Sequence, residues 1–300
     1  RRVLFRSVSK AEHHSVLLPF QELAVRTGAT LKWFDLDSEG RILSNTADEV
    51  ITERTKIVAV THVGNTTGAI TDIAPMVKRA HEVGAVVVLD ACQSVPHLKI
   101  DLHALDVDFA AWSAHKMYGP TGVGFLYGKR DMLEALPPAN FGGSMVELAW
   151  MDQEAQYMAP PARFEAGTQP VAQVVAAGVA AEWLMNIGME NLEAHERVIA
   201  GELLKMGQID GVRILGPQTN EQRIGTVAFE IDGVHPHDVG QFIDAQGIAI
   251  RVGHHCAQPV HRHFGVYASN RASSGIYNSV EDAQALVEAL KKVRPFFGVE

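Results

Sequence analysis

The chain has 300 residues, 47% of them hydrophobic and 20% charged, with a formal net charge of −9 at pH 7. This length predicts about two domains, and this composition an ordinary globular protein with ample core material. The acidic balance excludes nucleic acid or an anionic membrane as the main partner, and no apolar run approaches the ~18–20 residues that span a bilayer.

The first seven residues, Arg1-Arg2-Val3-Leu4-Phe5-Arg6-Ser7, carry neither a signal-peptide apolar region nor helical periodicity. They read as a tail foreign to the fold, with the native reading starting near Val8; the alternative is a basic N-terminal strand. Lys56 to Thr61 is a short β-rich run. Ile73, Met76, Val77, Ala80 and Val83 keep helical spacing up to Gly84, and Ala85 to Leu89 is a continuous apolar run, as in a strand buried on both faces. Phe109 to Trp112 and Val123 to Tyr127 are further strand candidates. Strands alternating with a helix predict parallel βαβ units in a doubly wound α/β sheet. Residues 130–170 are rich in Pro, Gly and Met and read as a long, partly irregular segment, and Val171 to about Leu204 reads as helical. Beyond Gly211, strands at 212–215, 226–231 and 248–252 mix with helices at 236–246 and 280–296, which predicts a smaller α+β domain. The division expected is 8–185 for the large domain and 186–300 for the small one.

In doubly wound sheets ligands gather at the carboxyl ends of strands. Asn65, Asp90 and the run Ser113-Ala114-His115-Lys116 all fall there. A strand end that delivers Lys116 into a Gly-rich turn, with Asp90 closing a neighbouring strand, suits a Schiff base to pyridoxal phosphate (PLP). Asp90 needs a cationic partner at the end of its apolar run, and a protonated pyridine nitrogen would serve; helix capping is the plainer alternative. Asn65 and Gln93 are placed to reach a phenolic oxygen, or are turn residues. The ring of His13 or His14 offers a stacking surface, and Ser113 and His115 offer donors for a phosphate.

There are two cysteines. Too few for a disulfide scaffold, they fit a reducing cytoplasm better. Cys92 reads as a small core residue. Cys256, in Arg251-Val252-Gly253-His254-His255-Cys256-Ala257, should be partly exposed, with imidazoles beside it that can raise its thiolate fraction. Arg251 and Arg271 can hold a carboxylate by a bidentate fork. A zinc reading of the histidines around Cys256 is set aside, because adjacent residues rarely converge on one metal and no Cys-x-x-Cys completes a closed site.

These segments resemble the class V aminotransferase group, and within it the cysteine desulfurases of the SufS/CsdA type. The matching stretches are AEHHS (11–15), THVGNTTG (61–68), LDACQSVPH (89–97), SAHKMYGPTGVGFLYGK (113–129), FGGSM (141–145), FEAGTQ (164–169), RVGHHCAQP (251–259) and RASSGIYN (271–278). They run in family order and cover nearly everything after Val8.

The resemblance implies a PLP-dependent transferase of fold type I, a mainly parallel doubly wound sheet with a smaller C-terminal α+β domain. It implies that Lys116 carries the cofactor, Asp90 binds the pyridinium and His13 stacks on the ring. Asn65 and Gln93 would touch the phenolic oxygen, and Ser113 and His115 the phosphate. Thr168 would reach the phosphate of a neighbouring subunit, so a homodimer is implied. Arg271, assisted by Arg251, would bind the carboxylate of L-cysteine, and Cys256 would carry a persulfide. The compact cysteine loop implies hand-over of sulfur to an acceptor of the SufE or SufU type, in iron–sulfur cluster assembly. Family members carry a further N-terminal stretch with a phosphate-binding threonine loop, so the chain is expected to be N-terminally truncated. The alternatives are a selenocysteine lyase, a related lyase or epimerase in which Cys256 is incidental, and a non-catalytic scaffold or inactive fragment.

Overall fold

A computed structural model describes residues 4–299. Six strands form the main sheet: β1 (Phe5–Ser9), β2 (Thr30–Phe34), β3 (Thr55–Thr61), β4 (Val86–Asp90), β5 (Phe109–Ser113) and β6 (Gly124–Gly128). Their spatial order is β2-β1-β3-β4-β5-β6. The first five run parallel, and β6 pairs antiparallel with β5. The apolar run ending at Tyr127 is thus a strand, but it returns by a short connection and closes the sheet edge in the opposite sense. Sequence periodicity carries no direction, which is why this was not foreseen.

Of the first seven residues, read as a foreign tail or as a basic N-terminal strand, Phe5, Arg6 and Ser7 take the strand form. They belong to β1 and pair with both β2 and β3, and Arg6 and Ser7 are buried. Residues 1–3 lie outside the described residues.

The helices over this sheet are α1 (His14–Thr27), the short α2 (Ala47–Val50), α3 (Ala74–Glu82) and α4 (Arg130–Ala135). Met76, Val77 and Ala80 of α3 join Val58, Val60, Val87 and Leu89 in one core. Val86 and Val88 on the opposite face of β4 are only half-buried, so that strand is sealed on one side and not on both.

A small antiparallel pair, β7 (Val146–Leu148) and β8 (Gln156–Tyr157), sits in the otherwise irregular stretch before α5 (Val171–Ile187) and α6 (Met189–Leu204). The expected continuous helical stretch is thus two helices, bent by 77° at Gly188. No single helix among the described residues is long and apolar enough to cross a membrane.

The second sheet is antiparallel, in the order β11-β12-β10-β9, from β9 (Val212–Leu215), β10 (Thr226–Ile231), β11 (Arg251–Gly253) and β12 (Ser269–Ser273). Around it lie α7 (Pro236–Asp244), α8 (Gln258–His263), α9 (Val280–Leu290) and α10 (Val293–Phe296). Val227, Phe229 and Ile231 of β10 pack with Ile199, Leu286 and Leu290 in a separate core.

Two close approaches join the sheets. The buried guanidinium of Arg223 donates to the carbonyls of Pro217 (2.6 Å), Thr226 (2.5 Å) and Thr67 (3.4 Å). Gly68 has φ +71°, and a Cβ there would stand 2.3 Å from the Thr226 carbonyl oxygen. Only glycine fits both the conformation and the gap.

Candidate active site

Adjacent parallel strands bring the sequence-distant groups together. Thr61 pairs with Asp90 across β3 and β4, and Asp90 with Ala111 across β4 and β5. The turn after β3 presents Asn65, the end of β4 presents Asp90, and a single 3-10 turn after β5 (Ala114–Lys116) delivers Lys116. A cavity of about 310 Å³ opens above these strand ends. His13, Asn65, Asp90, Gln93, Ser113, His115, Lys116, Arg251, Cys256 and Arg271 all line it. Ten residues that sequence reading singled out thus share one cleft. Thr168 does not line it; it is exposed on the segment before α5.

The charges in the cleft are unbalanced, with the carboxylate of Asp90 facing Lys116, Arg251 and Arg271. Arg251 and Arg271 sit directly opposite each other on β11 and β12. Like charges in that register repel unless an anion lies between them. Burial, and then Arg251, lower the pKa of Arg271 to about 10, which leaves it charged at neutral pH. One guanidinium nitrogen of Arg271 donates to the Asn65 carbonyl at 2.8 Å, while its Nε is buried without a partner. The cleft is therefore built for an anionic ligand.

His13 caps α1, its Nδ1 accepting the Ser15 amide at 3.1 Å. Its pKa is lowered by burial first and by Lys116 second, so the ring at the cleft wall is neutral. Beneath the cleft lies Glu12, fully buried. Its Oε1 accepts from the Ser9 hydroxyl (2.5 Å) and the Thr61 amide (3.0 Å), and its Oε2 has no partner. Burial, reinforced by Asp90, raises its pKa to about 8. Sequence reading passed over this residue. An acidic residue beside two histidines looks solvated until the fold places it beneath Asp90.

Three expectations change. Cys92 is no core residue. It is half-buried and lines the cleft, because the tight turn after Asp90, closed by its own amide on Asp90 Oδ1 (2.9 Å), turns it there. Burial, and then Asp90, raise its thiol pKa to about 11, so it is protonated at neutral pH. Asn65 does not point a free amide into the cleft. Its Nδ2 donates to the His255 carbonyl at 2.5 Å and ties the turn after β3 to the cysteine loop. The imidazole next to Cys256 supplies no positive charge either: burial lowers the pKa of His255 to about 3.

Cys256 itself is half-buried at the cleft, as expected from its loop. His255 and Cys256 have φ of +49° and +57°. Two successive L-residues in the left-handed region cost roughly 1–2 kcal/mol each, so the loop must be held from outside. The His14 amide donates to the Cys256 carbonyl at 2.8 Å, and His14 Nε2 accepts the Gln258 amide at 3.2 Å. These bonds span more than 240 positions of sequence, which hid the role of His14. Among the described residues no three His, Cys, Asp or Glu side chains group as metal ligands.

The Aminotransferase class-V family matches residues 7–286, and the chain belongs to that family. It is 49% identical over 293 residues to a probable cysteine desulfurase 2 of Mycobacterium leprae, covering 97% of this chain and 69% of that protein. A probable cysteine desulfurase of Streptomyces coelicolor is 46% identical, with 97% and 70% covered. Among solved structures, the Escherichia coli cysteine desulfurase CsdA, in an S-sulfonic acid form, superposes with a TM-score of 0.93 at 35% identity. That match covers 98% of this chain and 74% of CsdA.

The residues present fit PLP, the cofactor such a family implies. Asp90 supplies a carboxylate with one oxygen held by the Cys92 amide. Lys116 supplies an amine, Ser113 and His115 supply donors, and His13 supplies a neutral ring.

Proposed function

We propose that the chain is a PLP-dependent cysteine desulfurase, converting L-cysteine to L-alanine and leaving the sulfur on Cys256. The observation that carries this reading is the meeting of Lys116, Asp90, Arg271 and Cys256 in one cleft. Lys116 would carry the cofactor, and Asp90 would pair with its ring nitrogen; Gln93 and the second N–H of Asn65 Nδ2, the first being held by the His255 carbonyl, would face its phenolic oxygen, and Ser113 and His115 would take its phosphate. When bound, PLP supplies an electron sink for charge that develops at the substrate Cα.

The cationic pair Arg271 and Arg251 holds the substrate carboxylate. Lys116 Nζ removes the Cα proton and later returns a proton to the three-carbon product. Cys256 Sγ, as a thiolate, attacks the substrate sulfur. The substrate Cβ–S bond breaks as an S–S bond forms, its electron pair stays with the carbon fragment, and alanine leaves. Cys256 rather than Cys92 is the nucleophile, because a thiol with a pKa raised to about 11 is almost wholly protonated at pH 7.

A second copy of the chain completes the proposal. Val171, Val175, Val179 and Trp183 form an exposed stripe along α5, flanked by the exposed Met185. A contiguous apolar patch of this kind marks a protein interface, and Thr168 stands at its N-terminal end, where it can face a partner's cofactor phosphate. The persulfide passes to an acceptor protein of the SufE or SufU type for iron–sulfur cluster assembly. Cys92 and Cys256 are both free thiols, which suits the reducing cytoplasm. Mixing pure protein with PLP, L-cysteine and a reductant should release alanine and sulfide in equal amounts; neither product, from protein that has taken up PLP, would contradict the assignment.

A further inference from the structure

A chain of hydrogen bonds behind the cysteine loop fixes the ring of a residue to which no role has been given. His261 Nδ1 lies 3.1 Å from the Ala257 carbonyl, which can only accept. That nitrogen therefore carries the proton, and in the neutral ring Nε2 is left as an acceptor. Ser269 Oγ lies 2.9 Å from His261 Nε2 and must donate its single proton there. The same oxygen lies 3.0 Å from His255 Nε2, so His255 must donate into it. His255 Nδ1 is then a bare lone pair, and it is buried without a partner.

Beside it stands a complementary orphan. Ser269 and Arg271 are two apart on β12 and project from the same face. The ring that leans on Ser269 is therefore next to Arg271, whose Nε–H is also buried and unpartnered. After burial itself, Arg271 has the largest charged influence on His255, and both residues line the cleft. A buried donor and a buried acceptor, each unsatisfied, are costly apart and favourable together.

We propose that His255 is a positioning residue for the substrate carboxylate: its Nδ1 accepts the Nε–H of Arg271 when a carboxylate engages the guanidinium fork. This rests on the desulfurase reading for the identity of the ligand, but the geometry requires only a small carboxylate. The bond fixes the plane of the guanidinium, so that its outer nitrogens meet both oxygens instead of one. The ring stays uncharged throughout the neutral range, because burial and the surrounding cations oppose its protonation. Ala257 thus sets, through two imidazoles and one hydroxyl, how the substrate is held beside Cys256.

The test uses the PLP-loaded protein, with binding of L-alanine and of cysteamine, which lacks the carboxylate, followed by the cofactor absorbance. His255→Asn places an amide oxygen where Nδ1 was, and His255→Gln places its amide where Nε2 was. His255→Gln should bind L-alanine about tenfold more weakly, His255→Asn should recover most of that loss, and cysteamine affinity should stay within about twofold for both. A purely structural role on Ser269 gives the reverse, with Gln recovering and Asn failing, and would overturn the proposal. So would an equal loss for cysteamine and L-alanine. Two-bond 1H–15N correlations of the imidazole rings should show the proton of His255 on Nε2 and that of His261 on Nδ1; the opposite assignment also overturns it. A protein that binds L-alanine as stated but yields no alanine from L-cysteine would refute the desulfurase reading and leave this proposal standing.

Discussion

Glu12→Gln removes a carboxyl group whose ionisation the fold resists, and should change the pH dependence of stability in a definite sense. The side chain is fully buried, and its pKa stands at about 8 against 4.5 for an ordinary glutamate. Below pH 4.5 both the folded and unfolded forms hold the proton. Between 4.5 and 8 the unfolded chain releases it while the folded chain keeps it, so unfolding gains a favourable ionisation and the fold loses stability as pH rises. Above 8 both forms are ionised and the loss stops growing. At about 1.36 kcal/mol per pKa unit, the parent should lose on the order of 5 kcal/mol across this window. A glutamine has no proton to lose, and its amide oxygen can accept from Ser9 and Thr61 as Oε1 does. Guanidinium unfolding of the PLP-free parent and of Glu12→Gln at pH 5.5 and 8.5 measures this. The midpoint of the parent should fall relative to the variant by the higher pH. A constant difference between the two proteins, or one that moves the other way, would show that Glu12 is ionised in the fold and that the account of the carboxyl beneath Asp90 is mistaken.

Other substitutions separate parts of the site. Cys256→Ser should still take up PLP but lose alanine formation, while Cys92→Ser stays largely active; the reverse pattern in an alanine assay would exchange the two thiols' roles. Borohydride reduction of the PLP-loaded protein followed by peptide mapping should place the label on Lys116, and label on Lys129 would refute this, since Lys129 is already engaged with Asp106 and Asp108. Gly68→Ala should destabilise the fold by about 2 kcal/mol or more in denaturant unfolding, because its Cβ must both adopt the left-handed region and displace the Thr226 carbonyl. A midpoint equal to the parent's would mean that the two sheets do not approach as closely as described.

The parts of this fold that were legible in the sequence were those written in local patterns. Val212–Leu215 and Thr226–Ile231 emerge as strands with the bounds read from their apolar runs. The cleft was legible because strand ends in a parallel sheet converge, whatever lies between them in sequence. What escaped was decided by long-range partners. The direction of β6 depends on how the Gly-rich turn after Lys116 closes. The burial of Glu12 depends on Thr61 and Asp90 arriving beneath α1, and the constraint on Cys256 comes from His14. A pattern search within a window of a dozen residues cannot see such bonds.

The central claim is that sulfur from L-cysteine comes to rest on Cys256. A single turnover with isotopically labelled L-cysteine, stopped by a thiol-trapping reagent and followed by peptide mass spectrometry, measures that directly. One labelled sulfur per alanine formed, on the peptide containing Cys256, is the predicted result. Alanine formed with the label on Cys92, or with no label on either cysteine, would contradict it.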